Sequence, residues 1–246
     1  MRNFKLTLEY DGSRYDGYLR MGRDESTNTI ENKLLDCINR MVDGNVEINC
    51  AMRTETGVHA YGQVINFKAN TKMKPFEIKH YMNRYLPGDI SVLYVDEVDD
   101  RFHATLNAKE KTYVYRIDMG EVMNVFERKY MYYSFKKLNV EAMKEAAKYI
   151  VGKHDFKKFS TVKKSKSTVK EVKTVDIYED GESLQITITA NDFLHNMARM
   201  IVGLLIDIGN DKRTPSSVNE YFEDNNDTLI SPPADPKGLF LQNIEY

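Results

Sequence analysis

The hydrophobic period of this chain switches repeatedly between two and 3.6, and that switching limits it to a fold that mixes strands with helices. Phe4, Leu6, Leu8 and Tyr10 alternate with polar residues, the pattern of a half-buried strand. After a turn-rich loop over 11–17, Ile30, Leu34, Leu35, Ile38 and Met41 recur at helical spacing, with Thr27 or Thr29 as the cap. Strands are predicted over 46–50 and 63–67, with an irregular polar segment over 53–62 between them. A helix over 76–85 ends before Pro87-Gly88, and a strand follows over 90–98. The second half continues with a strand over 112–117, a helix over 140–151 and a hairpin of 169–178 and 184–190 about Asp180-Gly181. A helix over 194–208 stopped by Gly209, a helix over 215–222 and a strand over 239–244 complete it. Strands and helices mix without strict βαβ order, which makes the class α+β rather than doubly wound. Two mixed α/β sub-domains, residues 1–106 and 107–246, sharing a continuous and mainly antiparallel sheet, fit this order.

Composition excludes several classes. Hydrophobic residues at 41% and charged residues at 29% are the balance of a soluble globular chain. No run approaches the roughly 18 apolar residues of a membrane span, and the chain enters its first strand within a few residues of Met1, so neither membrane nor signal peptide is expected. The two cysteines, Cys37 and Cys50, read as reduced thiols and the cytoplasm as the compartment. Five scattered histidines show no ligand spacing, so no metal site is expected. The net charge of -2 does not point to nucleic acid. Its distribution is more informative, because 157–173 concentrates lysine, including Lys163, Lys164 and Lys166, against a single acid, Glu171. Such a strip is either a solvated loop, the commoner case, or a phosphate-contacting surface.

One segment carries the residue types of chemistry. Between two strands lie Arg53, Thr54, Glu55, Thr56, Gly57, Val58 and His59, so that a guanidinium, a carboxylate and an imidazole fall on one loop held by a sheet. Arg53 and Glu55 are close enough to pair, which would keep the carboxylate ionised. An ordinary surface turn with one weak ion pair accounts for the same residues.

The motifs around this loop carry a resemblance. Arg53-Thr54-Glu55-Thr56-Gly57-Val58-His59-Ala60 resembles the Gly-Arg-Thr-Asp-x-Gly-Val-His-Ala motif of the TruA family of tRNA pseudouridine synthases. In the same order, Tyr10-Asp11-Gly12-Ser13, Asn83 to Ile90, Phe102-His103-Ala104, Lys111 to Tyr115, Gly152 to Phe156, Ala190 to Gly203 and Gly238 to Leu241 are similar to that family's other motifs. The resemblance implies a pseudouridine-synthase fold with a central cleft and isomerisation of uridine to pseudouridine in the anticodon stem-loop of tRNA. It further implies no metal or cofactor, and a homodimer.

Carried over by position, Glu55 takes the catalytic carboxylate role, Arg53 orients it, Tyr113 stacks on the flipped uracil and Arg199 pairs with the carboxylate. His59, Phe102, His103, Lys109, Lys111, Lys163, Lys164 and Lys166 join Tyr113 as the RNA-binding set. The departures gather at the loop: Glu55 stands for aspartate, Met52 for glycine, Tyr18-Leu19-Arg20 for a Trp-Gln pair and Thr105 for arginine. One added methylene moves a carboxylate by roughly 1 to 1.5 Å, and misplacement on that scale can cost on the order of a hundredfold in rate. Two expectations remain: an enzyme that uses Glu55, and an RNA-binding paralogue that is inactive or acts on another substrate.

Overall fold

A computed structural model describes residues 1–19, 26–42, 44–161, 167–223 and 231–246. The class is α+β, with four α-helices and ten strands among the described residues. Two compact units form, one of Met1–Lys109 with Leu241–Tyr246 and the other of Glu110–Phe240. The last six residues thus join the first unit rather than the remainder of 107–246. The Lys109 N–H donates to the Glu245 carbonyl at 2.8 Å, and the Tyr246 hydroxyl donates to the Ala104 carbonyl at 2.9 Å.

In the first unit, β1 (Arg2–Tyr10) lies between β3 (His59–Ala69) and β4 (Ile90–Val98), antiparallel to both. Leu6 stands opposite Ile65 on one side and Val95 on the other, so the alternating face of β1 becomes core. A register shift between Leu8 and Tyr10 turns the end of β1 next to the polar loop. The short β2 (Ile48–Cys50) pairs with the far half of β3, leaving the near half beside residues 51–58. Helix α1 (Ile30–Val42) buries Ile30, Leu34, Cys37 and Ile38. Its first N–H groups are satisfied from outside: Ile30 and Glu31 donate to the carbonyls of Gly17 and Tyr18, and Asn32 to the Thr29 hydroxyl. Helix α2 (Pro75–Tyr85) packs on β4, to which Asn83 is tied by two bonds with Val92, at 2.7 and 2.9 Å. That bridge explains the asparagine of the Asn-x-x-Leu-Pro motif as structural.

In the second unit the strand order is β5 (Glu110–Asp118), β9 (Ser183–Ala190), β8 (Val169–Asp180) and β7 (Gly152–Asp155), with β6 (Tyr132–Tyr133) parallel to β5. The β8–β9 hairpin turns at Gly181, whose φ of 59° is the left-handed value the tight turn requires. Helix α3 (Val140–Ile150), capped by Asn139, packs against α4 (Met197–Gly209), which is apolar nearly all round and correspondingly buried. The chain ends in β10 (Leu239–Glu245).

Four details differ from the expectations. α4 begins at Met197 rather than 194, because Asn196 takes a left-handed conformation that no helix continues through. The segment expected as a helix over 215–222 is a 3-10 turn, Pro215–Tyr221. β3 begins at His59, four residues before the expected strand start at 63, since its partner β1 extends that far. Finally, β6 and β7 are too short to carry a hydrophobic period and went unanticipated.

Candidate functional site

The polar loop over 51–58 is bound to the first unit through its main chain. Gln63, fully buried in β3, presents its amide to Met52: Nε2 donates to the Met52 carbonyl at 2.6 Å, and Oε1 accepts the Met52 N–H at 3.3 Å. The same Nε2 reaches the Tyr10 hydroxyl at 3.3 Å, and that hydroxyl is 2.7 Å from Thr54 Oγ1. The Thr54 carbonyl accepts the Tyr18 N–H, and the Glu55 carbonyl accepts the Val58 N–H at 3.1 Å. Gly57, at φ 77°, closes that turn. Burial raises the pKa of the Tyr10 hydroxyl and keeps it a proton donor; bonds from Thr54 and Gln63 oppose this in part, and the charge of nearby Glu55 adds to it.

Two further contacts fix the loop to the turn after β1. Gly12 lies so close under Val58 that a Cβ there would stand 1.9 Å from the Val58 carbonyl oxygen. Its N–H donates to His59 Nδ1 at 3.1 Å, and Asp11 Oδ1 is 3.2 Å from the same nitrogen. The Met52, Thr54 and Glu55 backbone is therefore held from β3, from β1 and from the first loop. Thr54 points inward, while Arg53 is exposed and Glu55 half-buried. This is a rigid mount for one carboxylate.

The Tyr10 hydroxyl is the shared member of that buried network. Tyr10→Phe is expected to cost roughly 1 to 3 kcal/mol, because it leaves Thr54 Oγ1 buried without its partner. At roughly 2 to 4 °C per kcal/mol for a chain of this size, the loss is readable as a lowered melting temperature. An unchanged melting temperature would show that the network does not hold the loop.

The second unit carries its own polar groups. Tyr113, on β5, is buried with its ring edge-on to Phe193, centroids 5.0 Å apart. Arg199, on the first turns of α4, donates from Nε to the Ala234 carbonyl at 2.7 Å and from Nη1 to Asn196 Oδ1 at 3.0 Å. Asp192 joins two lysines, Lys111 at 2.5 Å and Lys170 at 2.7 Å. Burial works to raise the Asp192 carboxyl, but Lys111 and Lys170 together hold it below the usual carboxylate range.

Comparison with known proteins gives the family. A family model described as tRNA pseudouridine synthase matches residues 7–107 and 146–246. A protein named tRNA pseudouridine synthase A 2 from Bacillus cereus is 45% identical over 247 residues, covering all of both chains. One of the same name from Bacillus anthracis is likewise 45% identical over the full length, and tRNA pseudouridine synthase A 1 of Clostridium tetani is 37% identical. The chain belongs to the tRNA pseudouridine synthase family. As a pseudouridine synthase it is an isomerase. Among solved structures, a Cbf5-Nop10-Gar1 complex aligns with 82% of this chain and 45% of that chain at 8% identity and a TM-score of 0.37, so the assignment rests on the sequence relatives.

The residues singled out in the sequence differ in their surroundings. Thr54, between Arg53 and Glu55, is the buried and anchored residue of the three. His59 is 1% exposed and receives the Gly12 N–H, which ties the loop to the turn after β1. Lys111 is buried in its ion pair with Asp192. His103 receives the N–H groups of Thr105 and Leu106 on Nδ1, at 3.2 and 3.4 Å, and caps its own turn. Phe102 packs on Tyr246 with Lys5 over both rings, and its carbonyl accepts from Asn3 and Asn66. Lys109 remains exposed. Lys163, Lys164 and Lys166 lie outside the described residues. Gln63 and Tyr10 were absent from the predicted set, although a glutamine inside an apolar strand signals a buried polar partner. Thr105, in place of arginine, donates its hydroxyl to the Cys50 carbonyl at 2.6 Å and secures the end of β2.

No helix among the described residues is long and apolar enough to cross a membrane.

Proposed function

We propose that this enzyme isomerises uridine to pseudouridine in the anticodon stem-loop of tRNA, with Glu55 in the catalytic carboxylate role. In that reaction the bond from uracil N1 to ribose C1′ breaks, the base turns, and a bond forms from C5 to C1′ while the C5 proton leaves and N1 gains one. The sugar passes through positive charge at C1′, which a fixed carboxylate stabilises. The observation that carries this reading is the mounting of Glu55: its backbone is held on both sides by Gln63, Thr54 and Gly57, so a carboxylate longer than the family's aspartate is presented from a fixed base. Arg199 and Tyr113 occupy the family's arginine and tyrosine positions, and the cytoplasm is where such an enzyme meets its tRNA. The test is release of tritium from unmodified tRNA labelled at uracil C5. Activity on a tRNA whose anticodon-arm uridines are intact, lost when those uridines are replaced, supports the reading. Binding of tRNA without release refutes it.

The same proposal includes a homodimer. Val122, Val125, Phe126 and Phe135 are exposed in the second unit, Phe126 and Phe135 to 89% each. They are not on a loose segment: Asp118 accepts the N–H groups of Gly120 and Asn124, and Asn124 accepts that of Phe126. Ordered apolar surface of this kind is characteristic of an interface. Light scattering is expected to give twice the chain mass of 28.6 kDa for the parent and the chain mass for Phe126→Ser combined with Phe135→Ser. A parent that stays monomeric at working concentration would remove this part of the proposal.

A further inference from the structure

Asn196 immediately precedes α4 and holds a left-handed backbone, φ 63° and ψ 2°. Outside glycine that conformation is uncommon, although asparagine tolerates it better than most. The side chain is buried and makes contacts in two directions. Oδ1 accepts from Arg199 Nη1 at 3.0 Å, while Nδ2 donates to Thr161 Oγ1 at 3.0 Å and faces His195 Nδ1 at 3.0 Å. Arginine only donates, so the amide orientation is determined: oxygen toward Arg199, nitrogen toward Thr161 and His195.

The second hold on the guanidinium is the 2.7 Å bond from Nε to the Ala234 carbonyl, and the Ala234 N–H returns a bond of 2.9 Å to the Arg199 carbonyl. With Nε and one Nη1 hydrogen engaged, the outer edge of the guanidinium, Nη2 and the second Nη1 hydrogen, is unused among the described residues. That edge has the fork geometry of bidentate carboxylate or phosphate binding. A long side chain held at two points has already lost most of its rotational freedom before a partner arrives. Ser160 and Thr161, which bond to the carbonyl and ring of His195, are held on the opposite side of the same asparagine.

We propose that Asn196 is a positioning residue for this enzyme, fixing the outer edge of the Arg199 guanidinium from a left-handed backbone braced by Thr161 and His195. The inference rests on the role given to Arg199 under the proposed function, and the test separates the two. Asn196→Gly keeps the backbone conformation, which glycine adopts freely, and removes only the side-chain contacts. Its melting temperature is expected to stay close to the parent's, while kcat for tritium release falls about tenfold or more and KM stays within about twofold. Asn196→Asp keeps an acceptor for Arg199 and is expected to return kcat to within about threefold of the parent. Arg199→Ala serves as the reference. A parental kcat in Asn196→Gly beside an impaired Arg199→Ala overturns the positioning role alone. A parental kcat in Arg199→Ala overturns the role of the arginine and the positioning inference with it. An Asn196→Gly loss that falls on KM or on melting temperature, or an Asn196→Asp no better than Asn196→Gly, also overturns it.

Discussion

Glu55→Gln is expected to lower tritium release from C5-labelled tRNA by on the order of a thousandfold, with tRNA affinity within a few-fold of the parent. The substitution keeps the shape of the side chain and removes its charge. The bonds that shape the loop use the main chain of Met52, Thr54 and Glu55 together with the Thr54 hydroxyl, so the mount survives the change. What is lost is the negative charge that, in the proposed role, stabilises the cationic sugar, and an amide supplies only a small part of that. Single-turnover measurement separates the chemical step from product release. A Glu55→Gln variant that retains parental turnover would remove the carboxylate from the mechanism. Glu55→Asp gives a second reading of the same geometry. It withdraws the carboxylate by roughly 1 to 1.5 Å and is expected to cost up to about a hundredfold where the loop is shaped for glutamate. A gain in turnover would show instead that the loop still suits aspartate.

Gly12→Ala is expected to destabilise the first unit by about 3 kcal/mol or more, the upper end of overpacking costs. The added methyl would stand 1.9 Å from the Val58 carbonyl oxygen and 2.6 Å from its carbon. Both are backbone atoms, so no rotamer change relieves the clash. Separation of the two loops also breaks the bond from the Gly12 N–H to His59, which lies in the interior. Activity should fall with stability, because Val58 ends the turn that begins at Glu55. Gly88→Ala is the control: a Cβ there meets nothing within 4 Å, and the change should stay within about 0.5 kcal/mol. Thermal unfolding of the two variants side by side decides the matter, and equal melting temperatures would contradict the close approach of Gly12 to Val58.

Much of the fold was legible because it follows from local rules. The alternation of Phe4 to Tyr10 gave β1, the spacing of Ile30 to Met41 gave α1, and Asp180-Gly181 marked the β8–β9 turn, each within a few residues. α4 was misjudged at its start because apolar Leu194 continues the helical pattern, whereas the backbone of Asn196 interrupts it for reasons of side-chain bonding. β6 and β7 have too few residues for any period, and they exist because neighbouring strands offer unpaired edges.

The candidate site was less legible than the fold. Residue type marked Glu55 and its loop, but the partners of each polar side chain come from distant parts of the chain. Lys111 is 81 residues from Asp192 in sequence, and Tyr10 is 44 from Thr54. A charge on an alternating strand reads as surface until the fold supplies its counter-ion, as Asp192 does for Lys111. For His59, only the return of the first loop beneath it shows that its Nδ1 accepts a backbone proton.

By itself the sequence determined the α+β class, the order of the principal elements, the family, and the loop on which the proposed catalytic carboxylate lies. These depend on hydrophobic period, turn residues and ordered motifs, all of which are local along the chain. The tertiary structure alone decided what holds that loop: Gln63 against Met52, Tyr10 against Thr54, Gly12 beneath Val58, and in the second unit Asn196 against Arg199. A buried polar group is stable only with a partner at hydrogen-bond distance. Folding brings that partner from a remote segment, and no local pattern in the sequence encodes the distance.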